Sequence, residues 1–271
     1  MTKLAFTKVR PTATGLVAIL VGLLSLITIA SAKAEAPSSL EAWRATWGQV
    51  LQSSVDASGR VDFRGLAQDR ATLDLVVAFI GKTDPVSAPS LFPTPASRLA
   101  YYLDSYNALA MYGIVEAGVP RRLGWLARAH FFDRQEFRIG GRNLSLSTLE
   151  NSVIRTMGDP RVHFALNCMS VSCPRLPQTP FSGGDLEGTL DAATRTFMNE
   201  DRNVHVDEAA REVRLSAIFR FYTSDFLVND PTLVAYVNRY RTVPVPPEFR
   251  VKFAEYDWRV NDQAVAVGKS P

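Results

Sequence analysis

Cysteine and histidine are scarce: the 271 residues hold two cysteines and three histidines. That scarcity excludes a disulfide miniprotein and argues against a zinc enzyme of familiar type. There is no G-x-x-x-x-G-K-[ST], no dinucleotide-type glycine fingerprint, no H-E-x-x-H and no C-x-x-C, so no nucleotide or metal signature is present. Beyond residue 40 no run of about 20 apolar residues occurs, as a spanning helix requires, and the body reads as soluble. Internal repeats are absent. One sign of charge does not dominate either. Four of the 30 basic side chains and none of the 27 acidic ones fall within residues 1–34, which leaves the remainder near neutrality. Such a body has no general pull toward phosphate backbones, and nucleic acid is not an expected partner.

What is present is a packed-protein composition, 46% hydrophobic and 21% charged, behind a distinctive start. Lys3, Lys8 and Arg10 precede an apolar stretch from Gly15 to Ile29, followed by Ala32-Lys33-Ala34. This is the layout of a secretory signal over residues 1–34, cut after Ala34 or next after Ala36. The expected location is periplasmic or extracellular, with an uncleaved N-terminal anchor as the only membrane attachment.

The body, residues 38–262, reads as one α+β domain with helices packed on a mixed or antiparallel sheet, because helices and strands follow no regular alternation. Ser38 with Glu41 predicts a capping box opening a helix through Trp43, Trp47 and Leu51. A short extended piece spans 59–63, and a helix is expected from Leu66 to Ile80. Pro85, Pro89, Pro93 and Pro95 mark a connector. Residues 97–117 form a long buried helix in this reading, ended by Gly118 and Pro120. A hairpin is expected around Gly140-Gly141, then a second capping box from Ser147 to Glu150. Val162 to Asn167 is read as a buried strand. A helix at 185–198, paired strands at 204–206 and 213–215, short helices near 216–222 and 231–240, and a strand near 251–258 complete the chain.

Chemistry concentrates in Asp159-Pro-Arg-Val-His163-Phe-Ala-Leu-Asn167-Cys168-Met-Ser-Val-Ser-Cys173-Pro174. An extended chain would hold His163 roughly 17 Å from Cys168, too far for the imidazole to activate that thiol. Cys173, beyond a short loop, could fold back beside His163. A Cys173 nucleophile, His163 as its base and Asn167 as orienter or oxyanion donor is therefore one reading. The other is a structural disulfide, since a cysteine pair in an oxidising compartment usually closes. A Cys168–Cys173 loop would add roughly 2 kcal/mol of chain-entropy stabilisation. Asn107, in an otherwise apolar helix with Asp104 on the same face, must find partners or line a site. Glu150 is read as a helix cap, and Tyr222 with Asp225 as packing. His130 and His205 are read as surface or hairpin residues.

Several segments together resemble the DUF547 family, a domain of unknown function found in exported bacterial proteins and in plant and nematode multidomain proteins. They are Gly59-Arg-Val-Asp-Phe63, Tyr106-Asn107-Ala108, Leu144 to Glu150, Asp159 to Cys168, Ser172-Cys173-Pro174 and Tyr256-Asp-Trp258. Phe63 stands where members carry tyrosine, and Asn151 where many carry histidine. The resemblance supplies no reaction. Fusions of members to glutaredoxin-like and DEP domains point to thiol chemistry or scaffolding, and members inside cells disfavour a purely structural disulfide. It directs attention to a site of Cys168, Cys173, His163 and Asn107.

The expectation is a thiol-dependent enzyme, either a cysteine hydrolase or transferase or a thiol–disulfide exchanger with Cys168 as resolving partner. No cofactor is expected, and the partner would be a small molecule or a cell-envelope protein. The competing expectation is a non-enzymatic binding or scaffold module locked by a Cys168–Cys173 disulfide. A metal site on both cysteines and His163 is a third.

Overall fold

A computed structural model describes residues 36–264, so the signal expected at 1–34 lies outside the described residues. The described chain is a mixed α+β fold with two small sheets. Helix α1 (Leu40–Ser54) is capped by Ser39, one residue later than the sequence pattern placed it: Ser39 Oγ accepts the Ala42 N–H at 3.1 Å. The single helix expected from Leu66 divides in two. The Asp62 carboxylate accepts the Gly65 N–H at 2.9 Å and starts α2 (Phe63–Gln68) early; α3 (Ala71–Lys82) follows.

Helix α4 (Pro95–Glu116) is the centre of the larger core. Pro95 occupies its first position, where the missing N–H costs nothing, and Thr94 and Ser97 close a capping box. From Leu99 to Ala110 every residue is buried, the pattern of a helix packed on all sides. Gly118, at φ 73°, supplies the left-handed turn that ends it.

Beyond α5 (Trp125–Ala129), strands β1 (Glu136–Ile139) and β2 (Arg142–Ser145) form the expected antiparallel hairpin. Its two-residue turn puts Gly140 and Gly141 at φ 55° and 87°. A Cβ on Gly140 would meet the buried Asp84 carboxyl at 2.2 Å, so glycine is required there twice over. Helix α6 (Leu146–Leu149) is capped by Ser145, whose Oγ accepts the Thr148 N–H at 3.1 Å. The Ser147–Glu150 capping box is therefore not formed.

The strand expected at 162–167 is absent. Asp159 accepts the Arg161 N–H at 2.9 Å, and Pro160 opens a 3-10 turn over Pro160–Phe164. The apolar run is buried for another reason. Val162, Ala165 and Leu166 belong to the α4 core, while Phe164 joins a second aromatic core with Phe197, Phe219, Phe226 and Tyr236. A short apolar run wedged between two cores looks like a central strand in sequence.

Helix α7 (Leu186–Asn199), strands β3 (Val204–Asp207) and β4 (Glu212–Leu215), helices α8 (Ala217–Phe221), α9 (Thr223–Phe226) and α10 (Leu233–Asn238), and strand β5 (Arg250–Phe253) complete the fold. β4 lies centrally, antiparallel to β3 and parallel to β5, and this mixed sheet backs the second core. Among the described residues no helix is long and apolar enough to cross a membrane.

Candidate functional site

The cysteine loop is built by two buried amides. Asn107 of α4 donates from Nδ2 to the Ala165 carbonyl at 3.0 Å and accepts the Asn167 N–H at 2.8 Å. It takes the place of a strand partner for a backbone that has none. Asn167 accepts the Met169 N–H at 2.7 Å and donates to the Pro174 carbonyl at 2.7 Å, gripping both ends of the loop. Met169 is held at φ 61°, a conformation a bulky residue rarely adopts, and its side chain is fully buried. Neither amide lines the cavity described below, so both act on the loop's backbone.

The loop returns Cys173 to Cys168. The Cys168 N–H donates to Cys173 Sγ at 3.0 Å, and the Ser170 and Tyr256 hydroxyls lie 3.3 and 3.2 Å from the same sulfur. Tyr256 also lies 3.3 Å from Cys168 Sγ. Both cysteines are free thiols; the disulfide is not formed. Burial pushes the Cys173 thiol up, but hydrogen bonds from Cys168, Ser170 and Tyr256 outweigh it and hold the group at about 7. Burial, then the proximity of Cys173, pushes Cys168 well above the ordinary thiol range. The two sulfurs are thus differentiated, one approaching thiolate near neutrality and its neighbour remaining protonated. Removing the phenol in Tyr256→Phe should raise the Cys173 pKa by about one unit, the worth of one hydrogen bond to a charged group. The pH dependence of thiol absorbance near 240 nm reads this, and an unmoved titration would contradict it.

His163 stands elsewhere in the site than the Cys173–His163 pairing expected. Among the described residues no hydrogen bond joins its ring to either sulfur. Its Nε2 lies 2.8 Å from Asp225 Oδ2, and the ring stacks on Tyr222 with centroids 3.8 Å apart. Burial lowers the imidazole to about 4, overriding the attraction of Asp225, so at pH 7 a neutral imidazole donates to the Asp225 carboxylate rather than forming an ion pair. Asp225 is held well below the usual carboxylate range by Arg155, which clamps both of its oxygens at 2.7 and 2.8 Å.

This pair sets a pH dependence. Unfolded histidine binds a proton near 6.5 and folded His163 only near 4, so stability is lost as pH falls through that window. His163→Gln should remove a loss of up to about 3 kcal/mol between those limits. Asp104 and Glu150, raised by burial, act in the opposite sense, so the measurement is the native–variant difference in urea midpoint across pH. A pH-independent difference would contradict it.

The cysteines and His163 do share one cavity, of about 170 Å³, together with Tyr222, read from the sequence as packing, and Glu150, read as a helix cap. Glu150 and Tyr222 line it, as do Tyr106 and Tyr256. Glu150 caps no helix. Its carboxyl accepts the Tyr222 hydroxyl at 2.5 Å, and burial raises its pKa. These residues come from positions 106, 150, 222 and 256, so local spacing carried no sign of their meeting; Tyr106, Glu150 and Tyr256 stand in segments already marked by the resemblance, and Tyr222 does not. Asp104 lies outside the cavity and accepts Trp47 Nε1–H at 3.0 Å and Phe181 N–H at 3.2 Å. His205 pairs with Asp201 at 2.8 Å, and His130 is exposed. Among the described residues no cluster of three or more His, Cys, Asp or Glu could hold a metal ion, which removes the metal reading of the two cysteines with His163.

Fold and site define an α+β domain with a paired-thiol cluster opening on a cavity. Residues 92–198 match the family model described as "Protein of unknown function, DUF547". The match takes in Asn107, Glu150, His163, Cys168 and Cys173; Tyr222, Asp225 and Tyr256 lie beyond it. No curated protein and no solved structure matches the chain.

Proposed function

We propose that the cavity is the site of a thiol-dependent enzyme with Cys173 as nucleophile. One observation carries this reading: the Cys168 N–H, the Ser170 hydroxyl and the Tyr256 hydroxyl converge on Cys173 Sγ at the wall of a cavity. Donors aimed at a sulfur favour its anion, and the thiolate is the reactive form. In this reading hydrogen bonds replace His163 as the activating influence. His163 supports Tyr222, and Asn107 and Asn167 hold the loop. Thiol–disulfide exchange is a second reading, favoured by the closeness of a protonated Cys168 that could resolve a mixed disulfide. The lysine- and arginine-flanked apolar start supports an exported setting.

Rapid mixing with p-nitrophenyl acetate near neutral pH tests the nucleophile. The expected result is a burst of nitrophenolate and an acetyl group mapped to Cys173 by mass spectrometry. Acetylation confined to lysine or serine would contradict the proposal.

A further inference from the structure

Glu150 has no structural task that the fold requires of a carboxyl. Ser145 caps the helix before it, and Arg155, whose charge acts on Glu150, is committed to Asp225. The side chain is nine-tenths buried and rests on two phenols, Tyr222 and Tyr106, without an ion-pair partner. Burying a carboxyl that an amide could replace is costly, and it faces the same cavity as the thiols. It is the only carboxyl among the described residues that line that cavity. Tyr106 lies between the two halves, lining the cavity beside Glu150 and the cysteines.

We infer that Glu150 is the general acid of an acyl-transfer reaction at Cys173, acting on small uncharged esters or amides. This rests on the nucleophile reading above. Cys173 thiolate attacks the carbonyl carbon and forms the C–S bond. Collapse of the tetrahedral adduct breaks the C–O or C–N bond, and the departing alcohol or amine takes the proton from Glu150. The resulting Glu150 carboxylate then takes a proton from water as it attacks the thioester, releasing the acid and restoring the Cys173 thiolate. Disulfide exchange has no need of this acid, because a thiolate leaves unaided, whereas an alkoxide or amine anion does not. The substrate class follows from the lining. It holds no lysine or arginine and its histidine is neutral, so nothing there pairs with a charged acyl group, and about 170 Å³ admits only a small one.

The test compares p-nitrophenyl acetate, whose leaving group needs no proton, with trifluoroethyl acetate, whose leaving group does. Acetylation of Cys173 is followed by mass spectrometry across pH. The groups facing Glu150 are Tyr106, Tyr222, Arg155 and Asp225; both tyrosines are raised, Asp225 is lowered, Arg155 stays charged, and burial raises the Glu150 carboxyl itself. In the native protein the nitrophenyl rate should rise with pH to a plateau, and the trifluoroethyl rate should rise and then fall as Glu150 ionises. In Glu150→Gln the nitrophenyl-to-trifluoroethyl rate ratio should grow about 100-fold. Profiles of identical shape, or a ratio changed less than about threefold, would overturn the acid role. The native profiles decide the matter even if the variant fails to fold. Absence of Cys173 acetylation by either ester would instead sink the nucleophile reading itself.

Discussion

Replacing Cys173 by alanine should abolish the nitrophenolate burst, lowering the acylation rate about 1000-fold or more toward background. The size of the effect follows from the site's composition. No second group in the cavity combines nucleophilicity with convergent donors: Cys168 is raised by burial and by its neighbour, and the phenols of Tyr106, Tyr222 and Tyr256 are all pushed up. Stopped-flow absorbance measures the burst, and circular dichroism shows whether the variant is folded. A folded Cys173→Ala variant that retains the burst would contradict the proposal.

Asn107→Ala should be the most damaging single substitution outside the aromatic cores, costing about 3–5 kcal/mol of stability. The amide is 1% exposed and satisfies both the Ala165 carbonyl and the Asn167 N–H. Truncation strands both backbone groups away from water. For a chain of this size the melting temperature should fall by about 10 °C. The discriminating variant is Asn107→Leu, which keeps volume and removes the hydrogen bonds. It should be about as unstable as Asn107→Ala, and its Cys173 should titrate closer to an ordinary thiol because the loop is released. Stability near native in Asn107→Leu would show that the amide only fills space.

The helices and hairpins that were legible in the sequence have local causes. The α4 periodicity, the Gly140-Gly141 turn, the amphipathic α7 and the β3–β4 pairing each depend on residues a few positions apart. The segment around His163 misled for a physical reason: its burial comes from two cores meeting across it, and its backbone partners are side-chain amides rather than a neighbouring strand. The two cysteines and His163 were found because rare residues stand out. Their relation was not, since Cys173 folds back on the Cys168 amide and His163 turns to Asp225. Glu150 was legible only as a capping candidate, because its true partner, Tyr222, lies 72 positions away.

The central claim is that a hydrogen-bonded loop, with no imidazole in contact, prepares one thiol of the pair for attack. The rate of iodoacetamide alkylation against pH, with each cysteine followed separately by mass spectrometry, tests it most directly. Cys173 alkylation should rise with a midpoint at about 7 while Cys168 stays slow throughout that range. Two cysteines alkylated in parallel, both with the midpoint of an ordinary thiol, would contradict it.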